Sequence, residues 1–296
     1  MTETTVQDHL QTPAEWKHLE SQHVGPFLTR MIHERKDGST HIWSSRRHRK
    51  NFGPEILTSE GEPQAPKKRP SLFVWAPGEL NWWIAVLFMI GSFGFILGSV
   101  MFLTGFSNDM LINATFFIGS VFFTSAGYSQ YNQSINAATT IGSDSMPKKR
   151  KWFALQPGRI DFWVTFSQFL GTIMFNFNTF DAFLDLGWLG QDLAIWRPDM
   201  IGSILFQISG TLAVFEVCHR WWCWQRRRIA WWITMINFIG CVAFLISAFM
   251  AFVRPNPIFE NLATYATIFT LIGAVCFFVG SYLMWPEMSA EVMAGE

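Results

Sequence analysis

The C-terminal three quarters of this 296-residue sequence contain very few charged residues. After Leu80 the chain consists mostly of apolar runs separated by short loops, and Glu216 is the only acidic residue well inside a run. The runs also contain no internal proline. Secondary transporters usually have broken helices and charges at the membrane midplane. This composition lacks both features, and it leaves Gln168, Gln207 and Asn237 as the polar positions near the midplane.

The sequence also lacks the short motifs that carry enzyme chemistry. It has no GxSxG, HExxH, P-loop or dinucleotide-binding pattern, so nucleophilic, zinc-hydrolase and nucleotide chemistry have no support. Haem would need histidines within facing helices, and His219 is the only histidine near an apolar run. We therefore predict no catalytic residue, no cofactor and no enzyme activity.

Metal sites and disulfides are not expected either. The cysteines lie in apolar runs or on the side that we assign below to the cytoplasm, where disulfides are rare; they are Cys218, Cys223, Cys241 and Cys276. A CxxxxC spacing alone is weak support for zinc. His33 and His41 are predicted to point to opposite faces of a hairpin, so we do not expect them to share a metal ion.

Six of the apolar runs are long enough to cross a bilayer as helices, because a hydrocarbon core about 30 Å thick needs roughly 20 residues. They cover residues 80–106, 110–128, 160–180, 198–218, 229–253 and 262–285. Of the 22 Lys and Arg residues, all except Arg197 and Arg254 fall on one side of these runs. The positive-inside rule then places both termini in the cytoplasm, in a multi-pass protein of the plasma or inner membrane. Met1 to Pro70 has no stretch of signal-peptide type, so we expect an uncleaved N-terminus.

One short phrase recurs in each run: a branched aliphatic residue, a glycine, a small residue, two free positions and phenylalanine. Glycine and phenylalanine four positions apart lie on one helical face, so a neighbouring backbone can approach the glycine while the ring fills the space beside it. We predict helix-packing roles for the six glycines, which are Gly91, Gly119, Gly171, Gly202, Gly240 and Gly273.

Three of the runs open in the same way, which indicates an internal repeat. An aromatic pair precedes the motif glycine by eight residues, counted from its second member: Trp82-Trp83, Phe162-Trp163 and Trp231-Trp232. Tryptophan favours the headgroup region of a bilayer, so the tryptophans of these pairs are predicted interface anchors. We predict three helical hairpins, over residues 71–135, 150–220 and 221–287, followed by a cytoplasmic tail over 288–296.

The expected fold is therefore an all-α membrane protein with six transmembrane helices in three repeated hairpins, preceded by a small polar segment. Counting back three positions from the motif glycines makes Gln168 and Asn237 equivalent, on the glycine face rather than the lipid face. Glu216 has two readings. It is either a proton or cation site, or an interfacial residue that pairs with Arg220 four positions later, and we favour the pairing.

The N-terminal segment, residues 1–70, contains a predicted β-hairpin at about 27–45, with Lys36-Asp37-Gly38-Ser39 at its turn. In the expected register Ile32 faces Trp43. The basic run 44–50 follows, and then a Pro-rich linker at 61–70. The run is either a contact for anionic lipid or nucleic acid or a solvated stretch that sets topology. We favour the solvated reading and expect no nucleic-acid partner.

Paired membrane helices that each carry F-x-I-G-S-x-x-F, as at Phe88 to Phe95, resemble the YrhK-domain family of membrane proteins. The stretch from Trp43 to Lys50 is similar to the basic segment before the first helix in longer members of that family. The resemblance covers roughly residues 40–285 and supports the architecture. It supplies no catalytic residues, because that family has no assigned activity.

Two functions remain open at this stage. The first is a non-enzymatic membrane protein that interacts with lipids, possible anionic headgroups included, or with partner proteins or further copies of itself. The second is a channel or carrier for a small neutral or weakly polar solute, whose path would be lined by Gln168, Asn237 and Glu216. A cavity shared by Gln168, Gln207 and Asn237 would favour the second function over a tightly packed bundle.

Overall fold

A computed structural model describes residues 13–61, 71–137, 150–252 and 261–292. Most of the predicted Pro-rich linker 61–70 and the end of the predicted tail 288–296 lie outside these residues. So do Lys148, Lys149 and Arg254, which contributed to the predicted topology. Within the described residues the protein is mostly helical and has one small antiparallel sheet near its N-terminus.

Six long helices follow the six apolar runs, and five of them are long and apolar enough to cross a membrane. The helices are α2 (Leu80–Leu103), α3 (Asp109–Ile135), α4 (Ile160–Asp181), α6 (Arg197–Cys218), α7 (Ile229–Met250) and α8 (Leu262–Tyr282). The exception is α4, whose length matches the others but whose Ser, Thr, Asn and Gln side chains make it less apolar. The prediction of six spans therefore stays a prediction.

Two shorter segments extend the long helices. Before α6, the short helix α5 (Trp188–Gly190) continues through a π-helical segment, Gln191–Trp196. After α8, helix α9 (Met284–Val292) runs through the boundary that we had predicted at residue 287. The C-terminal segment is thus a helix that packs on α2, α7 and α8.

The six long helices form a closed ring, because each one packs against the next in the order α2, α3, α4, α6, α7, α8 and α8 returns to α2. Motif glycines lie at the contacts between consecutive members. A methyl group on Gly91 would lie 2.9 Å from the carbonyl oxygen of Gly119, and one on Gly171 would lie 3.0 Å from that of Gly202. Backbones this close tolerate only glycine, as in other tightly packed membrane helices.

The six motif phenylalanines meet on the axis of this ring. They are Phe95, Phe123, Phe175, Phe206, Phe244 and Phe277, and all are buried. Ring centroids lie 5.4 Å apart for Phe95 and Phe123 and 5.5 Å apart for Phe206 and Phe277, which are ordinary distances for packed aromatic pairs. We call these six rings the phenylalanine cluster. It fills the middle of the bundle.

The N-terminal sheet contains the predicted hairpin, which is confirmed, and two further strands. Its strands are β1 (Lys17–Val24), β2 (Phe27–Glu34), β3 (Thr40–Ser44) and β4 (Glu55–Leu57), hydrogen-bonded in that order and antiparallel. Leu28, Met31 and Trp43 form its small apolar core. Helix α1 (Ser45–Arg49) leaves β3 and packs against α4 and α6. The end of the ring that carries the sheet is called the sheet end below.

The predicted register of the hairpin was wrong by one residue. Met31 pairs with Trp43, and His33 pairs with His41. The loop has three residues rather than two, since Gly38 takes a left-handed φ of 78° and Asp37 accepts hydrogen bonds from the amide and hydroxyl of Ser39. A change of one residue in the loop shifts the pairing by one position, which exchanges the faces of one strand relative to the other. His33 and His41 therefore lie on the same face of the sheet instead of on opposite faces.

The structure contains a disulfide between Cys218 and Cys223, contrary to the expectation from sequence. Cys218 ends α6, and the chain turns at His219, whose φ of 54° is left-handed. This turn brings the two Cα atoms to 5.3 Å, within the usual range for a disulfide. The expectation rested on compartment alone and took no account of the chain reversal at the helix end.

Candidate functional site

Three cations of the basic run point into the helix bundle. Arg46, Arg49 and Lys50 are each less than one tenth exposed, so the favoured prediction of a solvated run was wrong for them. Their spacing of three and four positions places them on one side of a helical turn, and the carboxylates that meet this side belong to α6 and α9. We call these three residues the α1 cations.

Two of the α1 cations bind a carboxylate near the C-terminus. Glu287 of α9 accepts hydrogen bonds from Nη1 and Nη2 of Arg46, and its Oε2 lies 2.6 Å from Nζ of Lys50. Glu287 is itself buried. Asn81 at the start of α2 adds a further link, because its amide donates to the carbonyl oxygen of Lys50 at 2.7 Å. The α1 segment is thereby tied to both ends of the chain's helical part.

The third α1 cation binds Glu216, the buried carboxylate of α6. Arg49 Nη2 lies 2.9 Å from Glu216 Oε2, and the Ser45 hydroxyl donates to Oε1 at 2.8 Å. The predicted partner, Arg220, is exposed. Arg220 follows the chain reversal after Cys218, and therefore leaves the helical face on which a pairing four positions later depends. Glu216 is an internal ion-pair partner, which corrects the prediction of an interfacial one.

Burial shapes the electrostatics of this cluster. The pKa of Lys50 is lowered to about 8, chiefly because burial disfavours its charged form and next because Arg46 lies beside it, while the Glu287 carboxylate opposes the shift. Lys50 therefore stays mostly protonated at neutral pH. Breaking one member of such a buried pair leaves an uncompensated charge, which is strongly destabilising.

A cavity of about 70 Å³ lies between the α1 cations and the phenylalanine cluster. One water needs roughly 10–15 Å³ measured in this way, so the cavity has room for several. Its polar lining comes from Arg46, Arg49, Lys50, Gln130, Gln168, Ser209, Thr234, Asn237 and Ser281. Its apolar lining includes Phe88, Phe206 and Phe277. We call this space the central cavity.

The central cavity brings together two of the three amides that the sequence singled out. Gln168 and Asn237 both line it, together with Phe88 at the equivalent position of α2. Each amide lies eight residues into its helix, which is roughly 12 Å from the sheet end at 1.5 Å per residue. Gln207 is not among the lining residues, and its amide nitrogen lies 3.3 Å from the hydroxyl of Thr211.

The phenylalanine cluster forms the floor of the central cavity, since Phe206 and Phe277 belong to both. The remaining motif glycines lie beside these rings: a methyl group on Gly240 would lie 3.0 Å from the Phe277 ring, and one on Gly273 would lie 3.2 Å from the carbonyl oxygen of Gly240. The aromatic floor therefore depends on the close approach of the helices around it.

The predicted tryptophan anchors divide into two groups. The second member of each aromatic pair donates its indole N–H to a carbonyl six residues earlier, at 2.9 Å in all three cases: Trp83 to Pro77, Trp163 to Pro157 and Trp232 to Arg226. Trp83 and Trp232 are more than two fifths exposed. Trp82 and Trp231 are buried against protein, so they do not face lipid as anchors would.

A second aromatic surface lies at the sheet end. The segments that precede α2, α4 and α7 each expose large apolar side chains, among them Trp75, Trp152, Phe153, Trp221, Trp222 and Trp224. The guanidinium of Arg226 lies 4.4 Å from the ring centroid of Trp224. Tryptophan next to basic residues is typical of a membrane interface. We call these residues the aromatic belt.

The chain matches no protein-family model, no curated protein and no solved structure in the comparisons made. The resemblance to the YrhK-domain family therefore stays a prediction, and the case for a function rests on the site itself.

Sequence reasoning missed the α1 cations as site residues. The available signal was the combination of two carboxylates in or beside apolar runs, Glu216 and Glu287, with a basic run of helical spacing. A carboxylate buried at a helix end requires a cation, and the basic run contains several. Sequence alone did not indicate that a segment 167 residues before Glu216 provides it.

Proposed function

We propose that this protein is a membrane protein that binds a small polar solute in its central cavity and acts as a carrier. The observation that supports this is the cavity itself, which places Gln168 and Asn237 beside several hydroxyl groups and the α1 cations. Sites for small molecules are typically concave, largely apolar and fitted with a few polar groups that orient the ligand. No enzyme activity is proposed.

A carrier suits this arrangement better than an open channel. The phenylalanine cluster lies at the floor of the central cavity, between it and the far end of the ring. A solute that crosses must therefore move these rings. Alternating access in membrane carriers commonly works by such movement of one part of a bundle against another.

We also propose six membrane spans in three repeated hairpins, and membership of the YrhK-domain family. The support for six spans is that α4 occupies a full position in the ring between α3 and α6. The support for the repeat is that three glycine contacts and three indole hydrogen bonds recur at corresponding places.

We propose that both termini are cytoplasmic, on the strength of the Lys and Arg distribution. The disulfide at the sheet end favours an oxidising compartment instead, so the orientation needs a direct test. Tags fused to the two ends should both react with an impermeant reagent only after the cells are opened. Reaction of either tag in intact cells would overturn this orientation.

The carrier proposal is tested by solute flux into liposomes that contain the purified protein. We expect saturable uptake of a small polar solute, and we expect Gln168→Leu to remove most of it because the amide lines the cavity. Gln207→Leu is the matched control, since Gln207 is not among the lining residues, and it should keep the flux. Equal flux in both variants, or no flux above empty liposomes, would contradict the proposal.

A second candidate function is interaction with anionic lipid, and the aromatic belt favours it. Trp221, Trp222 and Trp224 are exposed beside Arg226 to Arg228. We expect the protein in nanodiscs to enrich anionic over neutral lipid around itself, and this preference to weaken with salt. Glutamine at all three of these arginines should abolish it. No preference at low salt would rule the candidate out.

A further inference from the structure

The disulfide at the end of α6 is incompatible with a longer α6. Cys218 and Cys223 have Cα atoms 5.3 Å apart. If the helix continued through Cys223, five residues at 1.5 Å each would separate these atoms by at least about 7.5 Å. Cysteines more than about 7 Å apart cannot be bridged without backbone movement. The oxidised cysteines therefore force the chain to leave the helix before Cys223.

The local sequence gives no other reason for the helix to end here. Helices commonly end where a glycine or asparagine takes a left-handed φ, and proline often follows. The ten residues from His219 to Arg228 contain none of these three residue types. His219 itself takes the left-handed φ of 54°, which is unfavourable for a residue with a β carbon. Without the disulfide, the sequence therefore favours a further turn of helix.

A further turn of helix would change the partner of Glu216. Arg220 would then lie on the same helical face four positions later, which is the favourable order for a pair of Glu and Arg. In the structure the chain reversal leaves Arg220 exposed, and the buried Glu216 binds Arg49 at 2.9 Å and Ser45 at 2.8 Å. The state of the two cysteines thus decides which arginine can reach this carboxylate.

We propose that Cys218 and Cys223 form a redox switch that selects the partner of Glu216. In the oxidised state Glu216 binds Arg49 and holds the α1 segment against α6. In the reduced state α6 gains a turn, Arg220 takes the carboxylate, and Arg49 is released. Arg49 lines the central cavity, so the switch also controls one wall of the solute site. This last step alone rests on the proposed carrier function.

A redox switch fits the two opposing indications about the sheet end. The Lys and Arg distribution favours the cytoplasm, and cytosolic disulfides are usually transient and either catalytic or redox-sensing. A disulfide that forms and breaks during use is therefore expected in that compartment, whereas a permanent one is rare there. The switch needs the cytoplasmic orientation in cells, but its test on purified protein does not.

The switching reaction is exchange with a cellular dithiol. One thiolate of the dithiol attacks a sulfur of the pair, which forms a mixed disulfide and releases the other cysteine as a thiolate that takes up a proton. The second thiol loses its proton and attacks the mixed disulfide, which frees the remaining cysteine. Two electrons and two protons have then passed to Cys218 and Cys223, and the dithiol has become a disulfide. Oxidised glutathione reverses the reaction.

Both cysteines are buried, so the loop between them must open before a reductant can attack. Trp221 and Trp222 in this loop are exposed, and an exposed loop opens at a lower free energy than the helices around it. A small phosphine is therefore the probe of choice for the purified protein, because it needs less opening than a protein reductant does.

Arginine modification by phenylglyoxal measures the exchange of partners. The full-length protein in detergent is compared before and after reduction with the phosphine, and mass spectrometry follows each arginine. An arginine that loses its buried carboxylate is costly to leave buried, so we expect the modification rate of Arg49 to rise at least about fivefold. The rate of Arg220 should fall severalfold. Arg150 is exposed and serves as the internal reference.

Two variants separate the switch from general loosening. His219→Gly supplies a residue that takes the left-handed φ without strain and disfavours helix, so the turn should persist after reduction and Arg49 should stay protected. C218S/C223S should behave as the reduced protein with or without phosphine. Amide hydrogen exchange at residues 219–222 should slow on reduction of the wild-type protein, because a new helical turn forms, and should not slow in His219→Gly.

The results also distinguish the switch from the carrier. A disulfide that survives phosphine in the folded protein, or an Arg49 rate that reduction does not change, overturns the switch. A rise at Arg49 without a fall at Arg220 overturns the exchange of partners, as does an equal response in His219→Gly.

Flux into liposomes tests the link to the solute site. Reduction should raise the flux at least about twofold in the wild-type protein, because Arg49 no longer ties the α1 segment to α6, and should not raise it in His219→Gly. No flux in either redox state overturns the carrier, even where the arginines exchange. A flux that does not change while the arginines exchange overturns control of the carrier by the switch.

Discussion

The sheet end and the middle of the ring are built from the same helices but packed by different forces. At the sheet end, ion pairs and hydrogen bonds connect α1 to Glu216 and Glu287 around a cavity. In the middle, the phenylalanine cluster packs where helix backbones approach at glycine. One phrase in the sequence contributes to both regions. The ring that follows each glycine fills the middle, and in α2, α4 and α7 the residue three before the glycine lines the cavity.

The comparison shows which positions are free to acquire function. The phenylalanine position is the same in all six copies, as expected where each ring contacts several others. The position three before the glycine is Phe88 in α2 but Gln168 in α4 and Asn237 in α7. A polar side chain is tolerated at this position because the cavity has room for water beside it. In the phenylalanine cluster, a polar side chain would be buried without a hydrogen-bond partner. The predictions below separate the two regions.

The largest effect is expected from Glu287→Gln at the sheet end. The change leaves Arg46 and Lys50 buried without their carboxylate, and losing one side of a buried pair typically costs about 3–5 kcal/mol. Denaturant unfolding in detergent measures the loss. Glu34→Gln is the control, because its pair with Lys17 is exposed, and an exposed pair contributes less than about 1 kcal/mol. Equal losses of unfolding free energy in Glu287→Gln and Glu34→Gln would mean that burial of an ion pair does not determine how much it stabilises this protein.

Acid should loosen the sheet end and leave the middle unchanged. Burial, assisted by the nearby charges of Arg35 and His33, lowers the pKa of His41 from 6.5 to about 4. A base with a lowered folded pKa stabilises the fold above 6.5, and this contribution is lost as the pH falls from 6.5 to 4. The change approaches about 3 kcal/mol, or roughly a hundredfold in hydrogen-exchange protection of β2 and β3.

The variant His41→Asn should remove most of this pH dependence, and His23→Asn should keep it, because His23 is exposed. Backbone amides of α2 beside the phenylalanine cluster should keep the same hydrogen-exchange protection at both pH values, so that their exchange rates change only through the intrinsic effect of pH. If hydrogen-exchange protection in β2 does not change between pH 7 and 4, the pH dependence attributed to His41 is wrong.

The glycine contacts allow a test of the middle alone. Gly91→Ala places a methyl group 2.9 Å from a carbonyl oxygen of α3, and because a backbone cannot move aside cheaply we expect a loss of about 1–3 kcal/mol. Gly78→Ala has open space around the new methyl group and should change little. Thermal unfolding in detergent compares the two variants, and a clearly lower unfolding temperature is expected for Gly91→Ala alone.

An effect of similar size is expected from reducing the disulfide at the sheet end. Cys218 and Cys223 are five positions apart, and closing so short a loop stabilises a fold by about 2 kcal/mol in the chain-entropy view. A phosphine reductant should lower the unfolding temperature of the wild-type protein. It should have no effect on the double variant C218S/C223S. The same shift in both proteins would mean that the reductant acts elsewhere.

The helices could be predicted from sequence because burial in a bilayer requires long apolar runs, which are a local property. The glycine faces were predictable for the same reason, since a spacing of four fixes a face. The choice of Gln168 and Asn237 followed from comparing repeats, but their cavity did not, because its walls come from helices that are distant in sequence. Helix α4 shows the limit of this reasoning, since it has a full place in the ring although it is not among the five helices that are apolar enough to cross a membrane.

The errors share one cause, which is tertiary context. The hairpin register depended on a single loop residue, Gly38, and one residue more or less exchanges the faces. The basic run looked solvated because its partners, Glu216 and Glu287, lie far along the chain. The disulfide required knowledge of the turn at His219. A single sequence encodes these contacts, but its local patterns do not reveal them.

The ion pair between Arg46 and Glu287 joins residues 241 positions apart, and this separation has a consequence for how the protein is made. A ribosome releases α1 long before α9, so during synthesis the α1 cations must wait in water or on lipid headgroups while the ring is assembled. Arg49 can pair with Glu216 as soon as α6 is made, but the ion pairs to Glu287 can form only after α9 has arrived. Complete pairing of the α1 cations is therefore a late event in the maturation of the protein.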